Sequence, residues 1–176
     1  MPITNQEPKL IQIDSIKHEP ITKVYIETSV VSYVTAKPST NVIILGHQQI
    51  TQEWWALRKQ DFEIYISQLV RKEACAGDAQ AAAKRLAILQ DIALLQSNNE
   101  VTELAQQIVS QNVLPQKAAD DAIHIALATI HQMDYLLTWN CKHIANAELQ
   151  KAISKICHQG GYEKPILCTP EELMGK

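Results

Sequence analysis

Val24-Tyr25-Ile26-Glu27-Thr28-Ser29 sets three bulky apolar side chains directly ahead of an acid and two hydroxyls. A β-branched and aromatic run of this kind reads as a short strand buried on both faces. An acid placed straight after such a strand is costly to bury without partners, which makes Glu27 a candidate for function rather than packing. Working outward, Ile64-Tyr65-Ile66, Ile92 to Leu95, Tyr135-Leu136-Leu137-Thr138 and Ile166-Leu167-Cys168 repeat the short apolar run.

Helical stretches fill the intervals. Val30 to Val34 reads as a helical turn, and Pro38-Ser39-Thr40 opens a long helix to about Gln60. Ser67 caps a helix closed by Gly77, and Asp78 caps the alanine-rich stretch from Ala79 to Leu89. A helix from Asn98-Asn99-Glu100 carries Leu104 and Ile108, and the next runs from Lys117 to about His131. Residues 142–158 form another, stopped by Gly160-Gly161, and Thr169-Pro170-Glu171-Glu172 has the cap, proline and acidic first turn of a last short helix. Strands alternating with helices predict a parallel sheet with right-handed crossovers. Sites in such sheets lie beyond the carboxyl ends of the strands, where strand order reverses. That rule selects Glu27, after the first strand, and Asn140, after the fourth.

The 176 residues suit one α/β domain, expected over residues 23–176, after an arm of residues 1–22 without sustained periodicity. No apolar run approaches the roughly 18–20 residues that span a bilayer, so no membrane partner is expected. The polar, mixed-charge start resembles neither a signal nor a transit peptide, and a cytoplasmic location is expected. Cys75, Cys141, Cys157 and Cys168 contain no CxxC pair and are expected as reduced thiols, mostly packed in or near the core. With 16 Lys and Arg against 19 Asp and Glu, the net charge of −3 is not that of a protein gripping nucleic acid by charge alone. Bound cations or a local basic patch would have to reverse the sign for a polyanion to dock.

Four residues carry the candidate chemistry: Glu27, Glu73, Asp121 and Asn140. Hard divalent ions take carboxylate, amide and water oxygens, and clustered carboxylates repel one another unless a cation joins them. Taken singly, structural readings also fit. Glu73 suits a solvated helix face, Asp120 and Asp121 suit the start of a helix dipole, and Asn140 suits a cap.

Taken together, these motifs resemble those of PIN domains. Glu27-Thr28-Ser29 is similar to the acid and hydroxyl that end the first PIN strand. Ser67-Gln68-Leu69-Val70-Arg71-Lys72-Glu73 looks like the second acidic motif. Asp121-Ala122-Ile123-His124-Ile125-Ala126 resembles the D-A-x-H-x-A helix of the VapC-type toxin branch, and Leu136-Leu137-Thr138-Trp139-Asn140 the fourth motif. The resemblance spans residues 23 to about 169. It implies a three-layer α/β/α sandwich with strand order 3-2-1-4-5 and a metal-dependent ribonuclease using Mg²⁺ or Mn²⁺. Glu27, Glu73 and Asp121 would hold the ion, Asn140 would be a weaker ligand or position water, and Thr28 and Thr138 would orient the carboxylates. It further implies an RNA substrate, an antitoxin protein as partner and a homodimer. Two departures stand out: Glu27 where Asp is usual, and Asn140, which removes a charge. Both keep open the alternative of a catalytically silent PIN fold serving as a binding or scaffold module.

Around this set, His124 faces the same way as Asp121, either toward substrate or packed against an acid. His143 fits equally the edge of the site and a helix surface. Trp139 offers a face for a base or for the core. Arg71, Lys72, Lys84, Arg85 and Lys142 are the candidates for phosphate contacts, Arg71 and Lys72 first because they lie beside Glu73.

Overall fold

The uninterrupted apolar runs are the strands of one sheet, and the first of them is the most deeply covered. In the computed structural model, which describes residues 21–175, Val24, Tyr25 and Ile26 are wholly inaccessible to solvent. Strands β1 (Lys23–Ile26), β2 (Glu63–Ser67), β3 (Ala93–Leu95), β4 (Tyr135–Leu137) and β5 (Ile166–Cys168) form one parallel sheet of order β3-β2-β1-β4-β5. Parallel sheets need such cover because their crossovers lay helices on both faces. The register pairs Tyr25 with Tyr65 on one side and with Leu136 on the other.

Seven α-helices are present among the described residues: α1 (Thr28–Thr35), α2 (Val42–Leu57), α3 (Gln68–Ala74), α4 (Ala79–Ile88), α5 (Asn99–Ser110), α6 (Ala119–Ile130) and α7 (Ala147–Gln159). Helix α1 packs on α2, α3 and α4, whereas α5 packs on α6 and α7. Right-handed crossovers send these two groups to opposite faces, since the chain moves outward through β2 and β3 and then returns past β1 to β4 and β5. The outcome is the α/β/α sandwich and strand order that the motif resemblance implies. Strand order reverses between β1 and β4, so their carboxyl ends frame a crevice.

Caps fix most helix starts as expected. Ser67, Asp78 and Asn98 accept from the backbone N–H of Val70, Ala81 and Val101. Gly77, at φ +86°, supplies the left-handed residue that ends the α3 segment.

Three expected elements differ. Helix α2 begins at Val42, because the Asn41 side chain takes the N–H groups of Ile43 and Ile44 while Ser39 and Gln48 hold the preceding loop. Helix α7 begins at Ala147 behind an Asn146 cap, because the Asn140 carbonyl draws Ile144 and Ala145 into turns. Residues after Thr169 make a turn rather than a helix, with Glu172 accepting from the Thr169 N–H and hydroxyl. The expected arm of residues 1–22 lies outside the described residues except for its last two, and the Thr22 carbonyl already accepts from Glu63 N–H at the sheet.

All four cysteines are free, but only Cys157 and Cys168 are buried, while Cys75 and Cys141 are exposed. Burial, reinforced by the charge of Glu172, pushes the Cys168 thiol up to about 12. Alkylation of the native protein near pH 8 is expected to label Cys75 and Cys141 and to spare Cys157 and Cys168 until denaturant is added. Mass spectrometry of the labelled peptides checks this. Truncating Leu136, wholly buried in β4, to Ala is expected to cost about 2–5 kcal/mol in urea unfolding.

Candidate metal centre

Glu27 follows β1 and precedes α1, so its side chain sits where a strand ends and helix N–H groups point outward. It is only 7% exposed. One carboxylate oxygen, Oε1, accepts from Ser29 N–H at 3.1 Å and thereby caps α1. The other, Oε2, accepts the Ser29 hydroxyl at 2.5 Å and the Thr138 hydroxyl at 2.7 Å. Each hydroxyl oxygen is itself held by a backbone donor from the end of β4. Trp139 N–H meets Ser29 Oγ at 2.8 Å, and Asn140 N–H meets Thr138 Oγ1 at 2.9 Å. With their oxygens occupied in this way, both hydroxyls aim their protons at Glu27.

Glu73 reaches the same place from α3. Its Oε2 accepts from the Thr28 hydroxyl and lies 3.1 Å from His124 Nε2. His124, 1% exposed on α6, contacts the Tyr25 hydroxyl through Nδ1 at 2.7 Å, and that hydroxyl contacts Ser67 Oγ at 2.7 Å. A buried chain therefore runs Ser67–Tyr25–His124–Glu73–Thr28 across β2, β1, α6, α3 and α1. Single ligand atoms from Glu27, Glu73 and His124 lie within 4.8 Å of one another.

Electrostatics follow from this packing. Burial alone would raise the Glu73 carboxyl, but the hydrogen bond and charge of His124, the Thr28 hydroxyl and the charge of Lys72 hold it below the usual carboxylate range. Burial alone would depress His124, yet the Glu73 hydrogen bond and the charges of Glu27, Glu73 and Asp121 raise it. The Tyr25 hydroxyl is pushed up strongly, mainly by burial, with Glu27 and Glu73 adding to the effect, and so stays protonated.

Of the four expected ligands, the structure brings Glu27 and Glu73 into this cluster. Asp121 stands outside it and pairs with His143 Nδ1 at 2.8 Å. Asn140 turns its Oδ1 to His143 N–H at 3.1 Å. Thr138 orients Glu27, but Thr28 serves Glu73 rather than the acid beside it. Asp120 and Lys72 are exposed and Arg71 is half-buried, as are Asp121 and Asn140. Arg85, a candidate for phosphate contacts, donates instead to the carbonyls of Ala74 and Ala76 and ties α4 to the end of α3. Trp139 stacks on His47 with ring centroids 4.0 Å apart, and its Nε1 donates to Thr51 at 2.7 Å, so its ring is engaged within the fold.

Sequence reasoning missed Tyr25, Ser29, Ser67 and the Asp121–His143 pair. The period-two geometry of a strand places Tyr25 and Glu27 on one face, and that signal was available.

No family model matches the chain, and no curated protein matches it. Two solved structures share the fold. VapC20 of Mycobacterium tuberculosis, a sarcin–ricin loop cleaving toxin, superposes with a TM-score of 0.56 at 13% identity, over 71% of this chain and 95% of its own. VapBC2 of Rickettsia felis, solved bound to a DNA fragment from their promoter, gives 0.54 at 15% identity, over 84% of this chain and 98% of that one.

The Tyr25 hydroxyl has a direct test. Tyr25→Phe leaves Ser67 and His124 facing an edge that cannot hydrogen-bond, so urea unfolding is expected to show a loss of about 1–3 kcal/mol with the fold retained. An unchanged midpoint would show that the chain contributes nothing to stability.

Proposed function

We propose that the chain is a metal-dependent endoribonuclease that hydrolyses RNA phosphodiester bonds, the toxin of a toxin–antitoxin pair. The observation that carries this reading is the convergence of Glu27, Glu73 and His124 at the crevice between β1 and β4. The fold shared with a sarcin–ricin loop cleaving toxin supports it.

The donor set fits a divalent cation. Glu27 and Glu73 are two carboxylates in close approach, and the hydroxyls that satisfy Glu27 are neutral, so no cationic side chain within the ligand set offsets both charges unless His124 is protonated. Glu27 and Glu73 would hold Mg²⁺ or Mn²⁺. When bound, such an ion neutralises phosphate charge and acidifies water. The protein's own part is orientation. Ser29 and Thr138 fix Glu27, and Thr28 fixes Glu73, so that each carboxylate presents a defined oxygen. The Asp121–His143 pair borders the cluster through the α6 turn shared with His124, placing a second group that can hold a proton near the reacting phosphate. Arg71 and Lys72, beside Glu73, would meet the RNA backbone.

In this reading residues 23–176 form the nuclease domain and residues 1–22 precede it as an arm, with an antitoxin protein and a second copy of the chain as partners. The exposed apolar start of α2, Val42, Ile43 and Ile44, supports a protein partner. No helix among the described residues is long and apolar enough to cross a membrane.

Purified protein incubated with mixed cellular RNA and Mg²⁺ or Mn²⁺ is expected to cleave it. Glu27→Gln and Glu73→Gln should each lower the rate by about 100-fold or more, the scale on which one charge-stabilising group acts. RNA left intact by folded, antitoxin-free protein with either ion would favour the silent binding module. Equal cleavage by both variants would trace the activity to a contaminant.

A further inference from the structure

One of the three donors that meet at the end of β1 is a nitrogen. Resting on the metal-dependent reading above, we propose that His124 is itself a metal ligand, completing with Glu27 and Glu73 a mixed oxygen–nitrogen site that favours Mn²⁺ over Mg²⁺.

Spacing is the first support. Ions with bonds of about 2.1 Å set neighbouring donors about 3 Å apart in an octahedron. His124 Nε2 and Glu73 Oε2 stand 3.1 Å apart, and a Glu27 oxygen lies within 4.8 Å of both. A buried imidazole on the surrounding wall with both nitrogens turned elsewhere would not meet this condition.

The second support is the brace behind the ring. Imidazole ligands usually have their remote nitrogen fixed by a hydrogen-bond partner, which sets ring orientation and leaves the near nitrogen free for the metal. Here that partner is the Tyr25 hydroxyl, 2.7 Å from Nδ1. Because the Tyr25 O–H can donate to Ser67 Oγ, its oxygen can accept from Nδ1–H. The network therefore accommodates the tautomer in which Nε2 carries a lone pair. Without a cation, a proton on Nε2 bonds Glu73 instead. With a cation, all three donors point at positive charge.

The third support is what the other expected ligands do. Asp121 spends its Oδ2 on His143, and the Asn140 Oδ1 takes the His143 N–H. Among the Asp, Glu, His and Cys ligand atoms of the described residues, His124 is the one that joins Glu27 and Glu73 within 4.8 Å. Its nitrogen changes the selectivity of the site. Mg²⁺ dehydrates reluctantly and keeps a largely aqueous oxygen shell, whereas Mn²⁺ shares its oxygen preference but belongs to the first-row series whose members also bind mixed nitrogen and oxygen sites.

The test reads the metal rather than turnover. Untagged full-length protein is loaded with Mn²⁺ and examined by electron spin-echo envelope modulation, with calorimetric titration of Mn²⁺ and Mg²⁺ alongside. Wild-type protein and His143→Gln are expected to show the nitrogen modulation of a directly bound imidazole, and His124→Gln to lose it. Mn²⁺ should bind at least about tenfold more tightly than Mg²⁺, and Asp121→Asn should keep the nitrogen modulation and lower Mn²⁺ affinity by about 10–100-fold at most, as for a group outside the ligand set. If His124→Gln does not fold, the wild-type and His143→Gln spectra still decide. Mn²⁺ bound without nitrogen modulation, or modulation lost in His143→Gln, overturns the assignment to His124 while the nuclease reading stands. Failure to bind either ion at millimolar concentration overturns both. Nitrogen modulation in a protein that leaves RNA intact supports His124 as ligand and removes the nuclease reading alone.

Discussion

A carboxylate buried among neutral donors is the constraint on which the crevice depends. Glu27 is sealed from water, and its charge is carried by one N–H and two hydroxyls. Those hydroxyls come from α1 and from the end of β4, so the carboxylate joins two strands that are neighbours in space and far apart in sequence. The pairing of Ile26 with Leu137 is therefore more than sheet hydrogen bonding. A slip of one residue would turn Thr138 to the opposite face and leave Glu27 one donor short. Trp139 and Asn140 tighten this arrangement, since their N–H groups occupy the hydroxyl oxygens and leave the protons nowhere to go but Glu27.

Much of this was legible in the chain, and the reasons differ by element. The strands could be read because each carries a short unbroken apolar run, most fully buried in the central β1, as in Val24 to Ile26. Strand order was not in the periodicity; it was implied only by the resemblance to PIN domains. Helix α2 was placed too early because Ser39 and Thr40 look like caps, while the capping is done by Asn41. Residues 141–145 looked helical because nothing local reveals that the Asn140 carbonyl takes two N–H groups at once. The site divides along the same line. Glu27 announced itself by standing after a buried strand. The diversion of Asp121 to His143 did not, since it joins residues from different elements through a turn whose shape the sequence does not encode at short range.

His124 shows how two structural readings of one residue can converge. Packed and bonded to an acid, it satisfies the ordinary expectation for a buried histidine, and the acid is Glu73. Yet the same contact sets its Nε2 among the donors of the crevice, so packing and chemistry do not compete here. Tyr25 is the residue that makes this possible. A purely apolar side chain at that position would leave Nδ1 without a partner, and the ring would lose its fixed orientation.

The acidic net charge fits this arrangement better than it first suggests. Arg85 is spent on the carbonyls of α3, and Lys72 already acts on Glu73. Arg71 and Lys72 are the basic side chains next to Glu73 that could draw in a phosphate, and the two carboxylates there would repel one. On the proposed reading, docking of a polyanion there would need a cation to offset Glu27 and Glu73. A divalent ion held there would offset the charges of Glu27 and Glu73 and so remove that repulsion. The metal would then govern both the chemistry and access to it, which is why a chain with net charge −3 need not carry a basic face to act on nucleic acid.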